Sequence, residues 1–236
     1  MTAVVDIQKE IDQQKLSGYQ WLIFVICLLV VAADGFDTGV IGYIAPSLAD
    51  TWGIERASLG PVISAALMGM VFGALSAGPM ADRLGRKLVV ILSVLFLGVW
   101  TVASAYAQSL GQLEAFRFLT GLGLGAAMPN IATLLSEYMP SRIRATMVNT
   151  MFCAFPGGIA IGGLLSGYLI PAFGWQSVLL LGGIFPLLLC VVMLFWLPES
   201  LHFMVVKGKE PAKIAHILAK VTGRPTPEQA IFVLPE

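Results

Sequence analysis

The sequence predicts an all-α membrane protein with six spanning helices, and three observations carry that reading. First, 57% of its 236 residues are hydrophobic and only 12% are charged, about half the charged share of a soluble domain; the mean hydropathy is +0.85. Second, the apolar residues come in blocks of about 20, the length a helix needs to cross the hydrocarbon. They do not alternate, as the strands of a membrane barrel would. Third, Lys and Arg gather in every second connection, which sets an orientation.

The elements follow in chain order. Residues 1–19 form a charged N-terminal segment with Asp6, Lys9, Glu10, Asp12 and Lys15, and no small-residue cleavage site follows the first apolar run, so that run reads as a span. Six spans are expected within residues 20–200: Trp21–Ile44, Ser58–Ala81, Leu88–Ala107, Leu113–Leu135, Met147–Ala172 and Ser177–Leu197. Lys9 and Lys15 lie before the first span. Arg83, Arg86 and Lys87 lie between the second and third, and Arg142 and Arg144 between the fourth and fifth. Lys207, Lys209, Lys213, Lys220 and Arg224 follow the sixth, whereas the opposite side has Arg56 alone. Both termini are therefore expected in the cytoplasm. Trp52, in the first outer loop, is placed as an interfacial anchor. Residues 201–236 are polar and basic, with Pro211, Pro225 and Pro227. Residues 212–221 read either as an amphipathic helix lying along the inner surface or as part of a flexible linker.

Small residues mark close helix packing, because small side chains let backbones approach in lipid. Gly69 and Gly73, Gly121 and Gly125, Gly158 and Gly162, and Gly163 and Gly167 are each four apart.

The chemistry lies in three places. Asp34 and Asp37 sit inside the first apolar run, three residues apart and so on one helix face. A charged side chain there costs at least a few kcal/mol, so this face must look at other helices or at a watery cavity, and a cavity is expected. Arg117 lies near the outer end of the fourth span, at a depth close to that of Asp37, so a buried pairing is geometrically available. Asp34, about one turn deeper, suits proton exchange. The third place is the short turn containing Gly78, Asp82, Arg83, Gly85, Arg86 and Lys87, with Glu137 and Arg144 on the same membrane side. Asp82 is expected to approach the inner end of the fourth or fifth span, where Glu137 and Arg144 lie.

Other classes find little support. Net charge is zero, without the basic character of a nucleic-acid binder. Cys27, Cys153 and Cys190 all fall in predicted spans and lack metal-ligand spacing. His202 and His216 lie in the tail with no catalytic or metal constellation, so neither an enzyme nor a bound cofactor or metal is expected.

The Gly78-x-x-x-Asp82-Arg83-x-Gly85-Arg86-Lys87 turn resembles the loop between helices two and three of the major facilitator superfamily. Arg117-x-x-x-Gly121, Glu137-Tyr138-Met139-Pro140 with Arg144, and Pro198-Glu199-Ser200 are similar to further motifs of that superfamily. Within it, Asp34-Gly35-Phe36-Asp37-Thr38, the run Ile41 to Leu48, and the run Gly121 to Asn130 look like the aromatic acid:proton symporters. Phe155, Ile159 and Ala160 depart from the fifth-helix glycine pattern of the drug antiporters. The resemblance implies the N-terminal half of a twelve-helix fold in a bacterial inner membrane, and proton-coupled uptake of an aromatic carboxylate such as 4-hydroxybenzoate. It casts Asp34, Asp37 and Arg117 as proton or substrate residues and the charged turn as a gate. It also implies a missing C-terminal six-helix half, with residues 201–236 the start of a central loop and the chain a fragment. A sugar or other metabolite symporter of the same superfamily, or a non-transporting half-protein, remains the alternative.

Overall fold

A computed structural model describes residues 4–209, 211–225 and 230–233, so Pro227 lies outside the described residues. All six expected spans are helices long and apolar enough to cross a membrane. They are α2 (Gly18–Trp52), α3 (Gly60–Leu84, preceded by a 3₁₀ turn at Arg56–Leu59), α4 (Arg86–Ala105), α5 (Leu110–Tyr138), the pair α6 (Arg144–Phe152) and α7 (Ala154–Phe173), and α8 (Gln176–Trp196). The chain is a multi-pass membrane protein.

The helix ends show why the sequence stops where it does. Ser17 caps α2: its side chain accepts a hydrogen bond from the Gln20 backbone N–H, and the Gln20 side chain accepts one from the Ser17 backbone N–H. Gly53 closes α2 in the left-handed conformation. At 35 residues, α2 is eight residues longer at its Trp52 end than the apolar run to Ile44 suggests. Its last turns run past the hydrocarbon, where composition no longer marks a helix. There Trp52 meets Trp175 edge-on, with ring centroids 6.0 Å apart. The expected fifth span is broken at Cys153. Pro156 has no N–H, and its ring crowds the carbonyl four residues back, that of Phe152, which unwinds the helix at this point.

Consecutive spans run antiparallel, which puts the turns 84–86 and 138–144 and the end of α8 at the same end as the start of α2. This is the charged end. The packing partners are α3 with α5, α2 with α7, α4 with α5 and α8, and α2 with α8. Exchanging each span for the one three along (α2 with α5, α3 with α7, α4 with α8) maps these pairs onto one another. The exchanged helices run in opposite directions, so the two groups of three form an inverted repeat.

Glycines set the tightest contacts. A Cβ at Gly69 would overlap the carbonyl of Phe118, one at Gly73 that of Leu122, and one at Gly125 that of Met70. The mate of this α3–α5 seam is α2–α7, where Gly35 faces the Phe155 carbonyl and Gly158 that of Ala32. Gly163 and Gly167 make no such approach: Gly163 has ordinary contacts with Tyr43, and Gly167 has open space.

At the charged end the terminal segments fold together. Strand β1 (Val4–Asp6) pairs in parallel with β2 (Ile231–Val233). Helix α1 (Ile7–Asp12) buries Ile7 and Ile11. The short α9 (Leu201–Val206) and α10 (Pro211–Thr222) follow the sixth span. Of the two readings of 212–221 the helix is the observed one. Its apolar face, Ile214, Ala215, Leu218 and Val221, joins Ile7 and Ile11 in the protein's core.

Candidate functional site

Asp34 and Asp37 are buried in α2 with 1% and 3% exposure, and Arg117 in α5 with 1%. This corrects the expectation of carboxylates facing a cavity. A side chain aimed at an open cavity would be exposed in this six-helix bundle, and these are enclosed by it. The exposed positions on this stretch of α2 are Thr38 and Gly42. The sequence argument allowed other helices or a watery cavity, and the bundle supplies the helices.

Arg117 Nη1 donates to Asp37 Oδ1 at 3.2 Å and to Oδ2 at 3.1 Å. Two α4 hydroxyls complete the group. Thr101 Oγ1 donates to Asp37 Oδ1 at 2.7 Å, and Ser104 Oγ accepts from Arg117 Nε at 3.3 Å. Thr101 and Ser104 are fully buried. Three helices thus meet at one compensated ion pair, the condition under which a buried charge pair is tolerated. Sequence reasoning missed both hydroxyls because a Thr and a Ser in an apolar run carry no charge signal. Their spacing of three, which puts them on one helix face, was the available clue. Among the described residues, neither oxygen of Asp34, nor Arg117 Nη2, has a hydrogen-bond partner. The site therefore keeps one buried carboxyl group unsatisfied one turn of α2 from Asp37, and one guanidinium nitrogen of the paired Arg117 unsatisfied beside it.

The second group lies at the charged end. Gly85 links α3 to α4 with φ +94°, a conformation side chains rarely adopt. A Cβ there would also overlap the Glu199 carboxylate. That carboxylate accepts from the Lys87 backbone N–H at 3.0 Å and from that of Ser200 at 2.9 Å, at the first turn of α4, where a negative charge is favourable. Lys87 Nζ donates to the Leu194 carbonyl at 3.0 Å. Arg86 Nε lies 3.2 Å from Glu137 Oε1, an ion pair without hydrogen-bond alignment. Glu137 Oε2 accepts from Ser200 Oγ at 2.6 Å and from the His202 backbone at 3.3 Å. Tyr138 donates its hydroxyl to the Glu199 carbonyl. Gly85, Arg86, Lys87 and Glu137 are thus brought together, with Glu199 and Ser200 as the residues that join them to the end of the sixth span.

The rest of the motif is not gathered there. Asp82 makes no ion pair among the described residues and lines a surface cleft with Arg86, His202 and Lys207. The expectation that it meets Glu137 and Arg144 is corrected: α9 lies beside Asp82, and Glu137 is already engaged by Arg86 and Ser200. Arg83 is exposed. Gly78 has open space around it. Arg144, by contrast, lines the same small cavity as Glu137, and its Nε is buried with no hydrogen-bond partner among the described residues.

The family profile described as Major Facilitator Superfamily matches residues 27–233. The 4-hydroxybenzoate transporter PcaK of Pseudomonas putida is 53% identical over 232 residues, 98% of this chain and 52% of that protein. The gallate transporter of Pseudomonas putida is 48% identical over 222 residues, covering 94% of this chain and 49% of that one. The chain spans about half the length of the curated relatives it matches. Among solved structures, the proton:xylose symporter XylE bound to 6-bromo-6-deoxy-D-glucose aligns with a TM-score of 0.79 at 20% identity, over 88% of this chain and 50% of that chain. At that identity the likeness is one of fold.

Proposed function

The chain belongs to the major facilitator superfamily, and from that premise we propose that it is the N-terminal six-helix half of a proton-coupled importer of aromatic carboxylates such as 4-hydroxybenzoate. Its setting is a bacterial inner membrane, with the charged end and both termini cytoplasmic. The substrate site lies against a second six-helix half, as in transporters built from repeats. The identity to 4-hydroxybenzoate and gallate transporters supports the substrate class.

The single observation behind the coupling is the unequal treatment of the two carboxylates. Asp37 is paired with Arg117 and accepts a hydrogen bond from Thr101. Asp34 is buried with neither oxygen hydrogen-bonded, and a carboxyl group so placed has to be neutral or find a counter-charge. Asp34 is therefore the carrier of the exchangeable proton, and Arg117, occupied by Asp37, fixes the site rather than gripping substrate. The turn Gly78 to Lys87 with Glu137 acts at the other end, where Arg86 and Glu137 hold one gating state.

Uptake of radiolabelled 4-hydroxybenzoate by the complete porter under an imposed pH gradient tests this. Asp34→Asn is expected to abolish gradient-driven accumulation while keeping exchange of bound substrate, which needs no net proton movement. Normal accumulation by both Asp34→Asn and Asp37→Asn would sink the coupling assignment.

A further inference from the structure

The N-terminal segment makes more specific contacts than a membrane protein's leader requires. Asp12 accepts from the Ser141 backbone N–H at 2.7 Å, from Ser141 Oγ at 2.7 Å and from Gln8 at 2.9 Å. Arg142 donates to the Asp12 carbonyl at 3.2 Å and to the Gln14 carbonyl at 2.8 Å. This face of the segment grips the turn that follows α5. The neighbouring face, Ile7 and Ile11, is buried in one apolar cluster with Leu201 and Met204 of α9 and the inner stripe of α10. Strand β1 adds a parallel pairing with residues 231–233. One short segment thus joins two parts of the chain about 60 residues apart, the 139–142 turn and α9 (201–206).

Between those parts lies Glu137. Ile7 and Gln8 line a cavity of about 120 Å³ together with Glu137, Arg144 and His202. This half-open space has a mixed lining and is large enough for a water, and α1 forms one wall of it.

We propose that residues 4–14 are a strap: by bridging the turn after α5 to the segment after α8, they keep the Arg86–Glu137–Ser200 node closed, and their release lets it open. The strap is suited to reversible release. A six-residue helix does not persist alone, nor does a pair of three-residue strands, so the segment stays ordered only while both faces are engaged. When α1 leaves, one wall of the Glu137 cavity goes, the carboxylate, only 14% exposed in the closed node, becomes fully hydrated, and the ion pair with Arg86 weakens in the higher dielectric.

Hydrogen exchange read by mass spectrometry on the full chain in lipid nanodiscs tests this, with two variants that each detach one of the two contact faces. Asp12→Ala releases the turn and Ile11→Asp releases α9 and α10. Both are expected to raise exchange at least tenfold in residues 84–92, 136–146 and 199–206, with residues 26–45 unchanged as the control for an intact bundle. Faster exchange confined to residues 4–14 would overturn the proposal, as would an Ile11→Asp variant that loosens α10 and leaves 136–146 protected.

Discussion

Thr101 shows how much depends on a single hydroxyl in this bundle. It is one of two neutral members of a four-residue group, and its hydrogen bond ends on a buried carboxylate. Bonds to charged groups contribute about 1.5–3 kcal/mol. Thr101→Val is therefore expected to lower stability by about that amount and Thr101→Ser by much less, read as thermal unfolding in detergent micelles. Arg117→Gln removes the counter-charge of a buried anion and should cost about 3–5 kcal/mol in the same measurement. Adding Asp37→Asn should recover part of the loss, because the remaining group is neutral. Asp12 supplies a pH dependence. Burial pushes its carboxyl up, but the hydrogen bonds from Ser141 and Gln8 and the charge of Arg144 outweigh that and leave it below the ordinary value of 3.8. A lowered folded-state value means its contribution is complete above the ordinary value and is lost as pH falls through the folded one. Protection of residues 4–14 against exchange should stay constant from neutral pH down to about 4 and fail only below that. At this scale the sequence was half legible. Asp37 and Arg117 announced themselves as charges in apolar runs, and their common depth predicted the pair. Thr101, Ser104 and Asp12 did not, since hydroxyls and surface acids are ordinary where they stand.

Among the elements, the existence of every span could be read from apolar length, and their ends could not. The end turns of α2 leave the hydrocarbon, so they are chosen by Ser17 and Gly53 and not by hydropathy. Glycine spacing found the α3–α5 seam but missed Gly35, whose carbonyl neighbour Phe155 lies on a helix more than a hundred residues away. It also overcounted Gly167, which touches nothing. The contrast gives a test. Gly35→Ala and Gly125→Ala place a methyl against a fixed backbone oxygen, which overpacks the seam by about 1–3 kcal/mol. Gly167→Ala should be neutral or slightly stabilising in a helix. Thermal unfolding of the three variants side by side separates the seam from the open position. Helix α10 was undecided in the sequence because amphipathicity alone does not say what covers the apolar face. Here α1 and its neighbours in the core cover it, and not the membrane surface.

For the molecule as a whole, the inverted repeat extends to how its spans are exposed. α3 and α7, mates under the exchange, are the two least buried spans, and both show apolar side chains outward, among them Leu67, Phe72 and Leu75 on one and Ile161, Leu164 and Tyr168 on the other. The alternation of charged connections predicts opposite sides for Glu55 and Arg224. Single cysteines at those positions, probed with a membrane-impermeant reagent in sealed vesicles, should label from opposite faces, Glu55→Cys from outside.

The Asp37–Arg117 pair spans 80 residues of chain, and that distance is also a delay. At synthesis rates of about 5–20 residues per second, the first helix waits roughly 4–16 s before its counter-charge exists. During that interval α2 must sit in the insertion machinery with its carboxyl groups neutral or sheltered. Nascent chains arrested before residue 110 are therefore expected to be extracted and degraded faster than chains that include α5, a difference that pulse-chase labelling measures as half-life.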